Sequence, residues 1–467
     1  MNVLLINPSQ EQLYGKFVVP EHPPIGLGYV GAMLERYGHR VTIVDIDADK
    51  ITPDILLRRV VSEGIGLVGI MALTPTFNSA LKTARLVKQG SGARVVFGGI
   101  HPTLMPEECL KHDEVDFVVM GEGEYTTVEL VAALEEGRDP GSVRGLGFKR
   151  KGEMVINEAR PFIDDLDEIP FPAIHLFSNT RYTYPDALES PTFPIITSRG
   201  CPGMCTYCST RSIFTRRFRA RGAKNIVDEV ERLIKDYGAR EIHIWDDNFV
   251  TIRKRVFEVR DEIKRRGISV RFAFPNGIRA DFLNREVLMA MKDMGTYSIG
   301  LGIESGDEEV LRRVKKQISL DKVRETVKIT KELGIETWGF FMLGLAGDTE
   351  ETVKKTIDFA IELDTDIAKF HVLKPYPGTE IFEEFLNSGL IDDLDFSRYG
   401  IHTSPVHHLE GLSAEDITRL QNVAYKRFYF RPVKLIKQIL RLTSFTRIRL
   451  NVVVALSLIR KVLGGKE

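Results

Sequence analysis

In the first third of the chain, short Val/Ile-rich runs alternate with longer stretches in which apolar residues recur every three or four positions. Such a switch between strand-like runs and helical periodicity is the pattern of an α/β chain with an open parallel sheet covered by helices. It predicts strands at 3–6, 41–45, 67–71, 94–97 and 116–119, and helices at 26–37, 53–62, 77–89 and 125–136. From about 140 to 190 the pattern loosens, and the run from Arg160 to Ala173, rich in proline and acid, suits an extended connection. Six further alternations follow, with strands predicted at 194–198, 241–245, 270–275, 297–303, 336–343 and 367–372. Past them, Leu435, Ile436, Ile439 and Leu440 share one helical face while Lys434, Lys437 and Arg441 fall on another. The expected organisation is a sheet domain over 1–140, a linker over 141–190, a second α/β domain over 191–390 and a helical, basic amphipathic region over 391–467.

Charge changes the picture only at the end of the chain. Residues 426–467 hold eleven Lys/Arg and one acid, a local charge of +10 in a chain whose total is −1. A lopsided basic, amphipathic segment suits peripheral contact with anionic lipid. The alternative is a helical C-terminal domain whose basic face is simply solvated. Nucleic acid is not expected, because only Phe428, Tyr429, Phe430 and Phe445 stand near the basic residues to stack on bases. The longest apolar run, 452–459, falls well short of the roughly 20 residues a spanning helix needs. Four cysteines, three of them clustered, make no disulfide framework, and the N-terminus reads as a strand without a basic leader. The expected location is the cytoplasm, with the tail on the inner face of the membrane.

The three clustered cysteines are Cys201, Cys205 and Cys208, spaced C-x3-C-x2-C directly after the apolar run at 193–197. Soft thiolates this close favour an iron–sulfur cluster or zinc. A structural zinc needs a fourth ligand nearby, yet Cys109 lies far upstream, reading as an ordinary buried cysteine, and the next histidine is His243. A cluster on three cysteines leaves one iron with an exchangeable position. The motif C-x3-C-x-aromatic-C, with Tyr207 as the aromatic, resembles the cluster loop of radical S-adenosylmethionine (SAM) enzymes. The resemblance implies a [4Fe–4S] cluster on these cysteines, SAM on its open iron, and an external electron donor of the flavodoxin or ferredoxin type. It also implies cleavage of SAM to methionine and a 5′-deoxyadenosyl radical.

The six alternations after the linker resemble the partial (β/α)6 barrel of that superfamily, a TIM-like barrel whose sites gather at the carboxyl ends of its strands. Carried over in register, the resemblance places SAM contacts at Asp246, Asp247 and Asn248 after the second strand and at Arg279 after the third. Glu304 and Ser305 match the ribose position after the fourth strand, and Gly344, Lys374 and Tyr376 border the adenine after the fifth and sixth. Asp246 and Asp247 also read as a paired-carboxylate acid/base or Mg2+ site.

In the first domain, Gly26-Leu-Gly28-Tyr-Val-Gly31 matches G-x-G-x-x-G, with Asp45 nineteen residues beyond Gly26. A dinucleotide turn must follow its strand at once, and here residues 7–24 intervene, so the glycines read as helix-to-sheet packing and the long segment as functional. The remaining strand-end loops carry Thr74 and Thr76, then Gly98, Gly99, His101 and Thr103, then Gly121 and Glu122. With Gly26 they resemble the Rossmann-like (flavodoxin-like) cobalamin-binding domain that precedes the barrel in one large radical SAM subfamily. The D-x-H-x-x-G motif of domains that donate an axial histidine is absent, which implies cobalamin without a protein histidine on cobalt, His101 shaping its loop instead. A helix cap is the alternative for His101.

The expectation is a cobalamin-dependent radical SAM enzyme similar to the anaerobic magnesium-protoporphyrin monomethyl ester cyclase and lipid-modifying branch. It would modify an unactivated carbon of a hydrophobic or lipid-like substrate by methyl transfer or ring formation. One alternative is the same enzyme with the first domain serving only to hold substrate. Another, of a different class, is a metal-bound module docking on membranes. Methylthio transfer is disfavoured, since a second cluster has only Cys109 left to hold it.

Overall fold

The computed structural model describes residues 1–14, 22–177, 182, 184, 187–432 and 434. Seven strands form the first sheet: β1 (Asn2–Asn7), β2 (Arg40–Asp45), β3 (Leu67–Met71), β4 (Arg94–Gly98), β5 (Phe117–Val119), β6 (Leu146–Arg150) and β7 (Glu153–Ile156). Their order is β2-β1-β3-β4-β5-β6-β7. The first five run parallel in the flavodoxin-like order, and β6 and β7 add antiparallel. The sheet therefore continues past residue 140 into the stretch expected to be plain connection. Alternation at β6 marks it in retrospect, with Leu146 and Phe148 buried.

Helix Pro53–Ser62 shows why the pattern was readable. Thr52 caps it, accepting from the Ile55 N–H, proline opens its first turn, and Leu56 and Val60 reach the core one turn apart. In helix Ile25–Arg36 a Cβ on Gly28 would lie 3.1 Å from Pro172, and one on Gly31 would lie 3.2 Å from Leu176. Those two glycines admit the connection against the helix. A Cβ on Gly26 would meet nothing within 4 Å.

The second sheet is β8 (Thr192–Ile195), β11 (Glu241–Ile244), β12 (Arg271–Ile278), β13 (Thr296–Glu304), β14 (Glu336–Leu343) and β15 (Ile367–Val372). All neighbours in it pair parallel, in chain order, as a partial barrel requires. Two short strands, β9 (Ser198–Arg199) and β10 (Arg219–Ala220), pair antiparallel beside it. Helix Ala414–Tyr429 covers the free edge of β15: the hydroxyls of Tyr429 and Tyr425 accept from the Ala368 and Phe370 N–H groups, and the Gln421 amide donates to the Phe370 carbonyl. The helix packs by Ile417, Leu420, Ala424 and Phe428. No helix among the described residues is long and apolar enough to cross a membrane. Of the expected basic face, Lys434 is buried, its ammonium held by Asp364 and the Thr365 carbonyl rather than turned to solvent; the amphipathic pattern from Leu435 onward lies outside the described residues.

Candidate cofactor site

The cluster loop is a closed loop. β9 enters it and β10 leaves it, with Arg199 paired to Arg219 and Ser198 to Ala220 at its base. Gly200 makes the entry turn at φ +88°, where a Cβ would stand 2.1 Å from the Arg217 carbonyl oxygen, so no other residue fits. Mid-loop, the Thr206 N–H donates to the Val314 carbonyl, and the Thr206 carbonyl accepts from Ile381.

The three thiols face a common space on this frame. A Cβ on Gly203 would lie 3.4 Å from the Cys201 sulfur and 3.9 Å from the Cys205 sulfur, and the Gly203 N–H points at Cys201 Sγ at 3.4 Å. Burial pushes the Cys201 and Cys208 thiols up, while the guanidinium of Arg279 pulls Cys201 back down. Arg279 Nη1 lies 3.2 Å from the same Gly203 Cβ position, so a positive charge overlooks the thiols. Cys109 is fully buried in the first domain and cannot join them. Among the described residues no three Cys, His, Asp or Glu side chains close on a single ion. Three thiols on one short loop are a donor set that fits a [4Fe–4S] cluster.

Around this loop the predicted SAM contacts divide. Tyr207 is hydrogen-bonded to Cys205 and lies in the field of Glu304, and burial pushes its phenol well above the usual range. Arg279 keeps one edge toward the thiols and gives the rest to Asp281 and to the carbonyls of Lys316 and Gln317. Glu304 ends β13 at φ +68°, and its carboxylate meets the Lys316 ammonium at 2.9 Å. Burial alone would lower the Lys316 pKa, but the Glu304 charge outweighs it. Asp247 accepts from the Gly200 N–H and the Thr210 hydroxyl, and burial raises its carboxyl.

Six others give hydrogen-bonding groups to the protein frame. Asp246 accepts the N–H and hydroxyl groups of both Thr197 and Ser198 and meets Arg255 at 3.3 Å; it clamps the chain entering the cluster loop. Asn248 is buried, accepting from the Arg279 N–H and donating to Thr251. Ser305 bonds Thr356 and caps Asp307. Gly344, at φ +80°, donates to Asp348 and accepts from His407, leaving no room on that side. Lys374 donates to the carbonyls of Arg398, Thr403 and Ser404, and Tyr376 to that of Tyr399. Both tie the segment after the barrel onto it. The common cause is that a strand end leaves backbone groups without partners, and nearby polar side chains satisfy them first.

The rim of the first sheet is different. Gly26, Gly99 and Gly121 are exposed, Gly98 is half-buried, and a Cβ on Gly26 or Gly121 would meet nothing within 4 Å. The Thr103 hydroxyl donates to the Gly99 carbonyl and accepts from the Gly121 N–H, linking the two loops. This is a glycine-walled rim open to a large flat group, and it fits a corrin. Thr74 and Thr76 are buried beneath it, Thr76 capping its own turn. His101 is fully buried, bonded through Nδ1 to Thr74 and packed between Phe77 and Phe396; burial lowers its pKa to about 4. It shapes the loop from below. Glu122 is buried and already partnered: its carboxylate receives Arg199, Arg219 and the Ile163 N–H, while Arg199 also holds Glu124.

That buried ion cluster joins the two rims, and sequence reading missed it. Arg199 stands two residues before Cys201, and Glu122 directly follows Gly121. The repeated Gly-Glu of residues 121–124 was the available signal. Lys316, on a loop after helix Glu308–Arg313, had none. The rims also meet through Leu104, which packs on Gly378, whose carbonyl in turn accepts from Ser212 in the helix after Cys208.

Comparison with known proteins agrees with both halves. The radical SAM superfamily matches residues 195–360, and the B12 binding domain matches residues 14–131. An uncharacterized methyltransferase of Pyrococcus horikoshii is 34% identical over 94% of this chain and 95% of its own. The anaerobic magnesium-protoporphyrin IX monomethyl ester cyclase of Rubrivivax gelatinosus is 27% identical over 92% of this chain and 77% of its own. The methyltransferase TsrM of Kitasatospora setae, solved with cobalamin and a [4Fe–4S] cluster, superposes with TM-score 0.71 at 22% identity, covering 83% of this chain and 78% of that one. With an open glycine rim on one sheet and a three-thiol loop on the other, this chain belongs to the cobalamin-binding radical SAM enzymes.

Proposed function

We propose that the protein transfers a methyl group to an unactivated carbon of a small organic substrate held inside the second sheet, beneath the thiol loop. The observation that carries this reading is the junction just described, which sets the glycine rim against the thiol loop through Arg199, Glu122 and Leu104. When bound, the [4Fe–4S] cluster and SAM supply reductive cleavage of a carbon–sulfur bond, and cobalamin supplies a methyl carrier.

The chain's residues do the rest. Cys201, Cys205 and Cys208 would hold the cluster, the Gly203 N–H supporting the Cys201 sulfur. Arg279 would meet the SAM carboxylate, and Glu304, held in place by Lys316, would accept from ribose hydroxyls. Gly26, Gly98, Gly99 and Gly121 would let the corrin approach the backbone. Inside the sheet, half-buried Phe340 and Met342 offer the substrate an apolar wall and exclude water. Within the basic stretch 426–467, Arg427 pairs with Asp358 and Arg431 and Lys434 pair with Asp364; the basic excess from Lys437 onward supports peripheral contact with an anionic membrane as a route to less soluble substrates.

The test is made on protein expressed with cobalamin uptake and reconstituted without oxygen, counting iron and cobalt per chain and following SAM with a reductant. About four irons and one cobalt, with S-adenosylhomocysteine among the products, is expected. Iron without cobalt would refute methyl transfer by this route and leave the first domain as a substrate platform. Ring closure without methyl incorporation would place the protein with the cyclases.

A further inference from the structure

The interior of the second sheet holds a cation that the fold does not use. Along β15, Phe370 turns outward, stacking on Phe341 at 5.3 Å and meeting Tyr425 and Phe428 of the covering helix. Side chains alternate along a strand, so Lys369 and His371 turn inward. In the paired register on β14, Phe340 lies beside Lys369 and Met342 beside His371. The Lys369 ammonium stands 4.6 Å from the ring centre of Trp338 and 5.8 Å from that of Phe340. It leans toward the deeper ring, away from the rim.

The other cations of this region are committed. Lys316 holds Glu304, Lys374 holds three carbonyls, and Arg279 holds Asp281. Lys369 has no carboxylate partner among the described residues. The one acid in the field of neighbouring His371, Glu304, is already neutralised by Lys316, and His371 itself is kept uncharged by burial, with its pKa lowered to about 4. Glu336, two residues before Trp338 on β14, gives its carboxylate to the Trp338 indole N–H, so the Lys369 ammonium rests on an aromatic floor with no carboxylate in direct contact. A half-buried ammonium held by rings alone is weakly stabilised and gains from any anion that reaches it.

We propose that Lys369, with Trp338 and Phe340, forms the subsite for an anionic group of the substrate, a carboxylate or a phosphate, joined to a flat or apolar body that lies on the rings. His371, one step nearer the rim, serves as a neutral hydrogen-bond partner. The proposal rests on the reading of this interior as the substrate chamber. It narrows the expected hydrophobic or lipid-like substrate to an amphipathic anion. The anionic end sits three residues inside β15, about 10 Å of strand, so the substrate spans that depth to bring its reacting carbon to the thiol rim.

The test is equilibrium dialysis of cofactor-loaded protein against three anions of increasing size (benzoate, 1-naphthoate and 1-pyrenebutyrate), each beside its neutral amide, with phenyl phosphate as the phosphate arm. The expected result is that at least one anion binds more tightly than its neutral counterpart. Lys369→Met should weaken that anion on the order of tenfold without affecting the amide, and Lys369→Arg should restore it. Preference for carboxylate or for phosphate names the source. The proposal is overturned if no anion outbinds its amide, or if Lys369→Met leaves the preference unchanged. Iron and cobalt counts on the same preparations separate the two readings: full loading without anion preference sinks the subsite alone, and poor loading of the wild type sinks the chamber.

Discussion

The two strand-end rims carry similar polar residues and use them in opposite ways. On the first sheet the rim is made of glycines whose missing side chains leave open space, and its polar groups lie beneath, as Thr76 and His101 do. On the second sheet the rim is crowded with carboxylates, hydroxyls and a lysine, most of them turned into the frame, as Asp246, Ser305 and Lys374 are. A rim that must receive a broad, flat group works by subtraction. A rim that must fix a loop to within hydrogen-bonding distance works by addition, so polar density there reports mechanical clamping as much as ligand contact.

The largest effect falls on the thiols themselves. Cys205→Ala should abolish iron loading and all SAM cleavage while cobalt stays near one per chain; loss of both metals together would mean that the rims do not load separately. Next comes the clamp. Asp246→Ala leaves Arg255 buried without its carboxylate, expected to cost about 3–5 kcal/mol in chemical denaturation. A cost below about 1 kcal/mol would return Asp246 to the ligand side of the comparison.

A third prediction concerns pH. Asp348, which accepts from the Gly344 and Leu345 N–H groups and from Thr352, is deeply buried, and burial raises its pKa from 3.8 to about 6. The native state thus binds its proton more tightly than the unfolded chain, so its contribution to stability is full below about pH 4 and is lost as pH rises through about 6. Asp348→Asn keeps the two backbone hydrogen bonds on its amide oxygen and reverses the one to Thr352, the amide NH2 donating to that hydroxyl; it should flatten the stability profile across that window, gaining on the order of 1–3 kcal/mol at neutral pH. An unchanged profile would show that the carboxyl is not insulated from water. The smallest effect is expected at Gly26→Ala: folding stability should hold or rise by up to about 1 kcal/mol, while cobalt retention in gel filtration falls. Unchanged retention would move the corrin away from helix Ile25–Arg36.

Strand positions were legible because apolar periodicity and burial are the same fact seen twice; 336–343 and 367–372 were placed at their observed bounds. The cysteine loop was legible because its donors are contiguous. Side-chain direction at the strand ends was not, because it depends on which backbone groups lie unsatisfied across the sheet. Nothing local tells that Asp246 answers Thr197 and Ser198, 49 and 48 positions earlier. Lys316 was invisible for the same reason: its partner Glu304 is set by the turn of helix Glu308–Arg313 between them. The glycines were the converse case, since G-x-G-x-x-G described two packing positions and one open one under a single pattern.

The β9–β10 pair bears on how the metal centre is assembled. With the loop's base already closed by protein hydrogen bonds, an incoming cluster need not organise a long excursion of free chain, and the closure entropy is met during folding. Maturation then becomes the loading of a finished frame. Oxidative loss of the cluster should leave a folded apoprotein whose loop base is still closed.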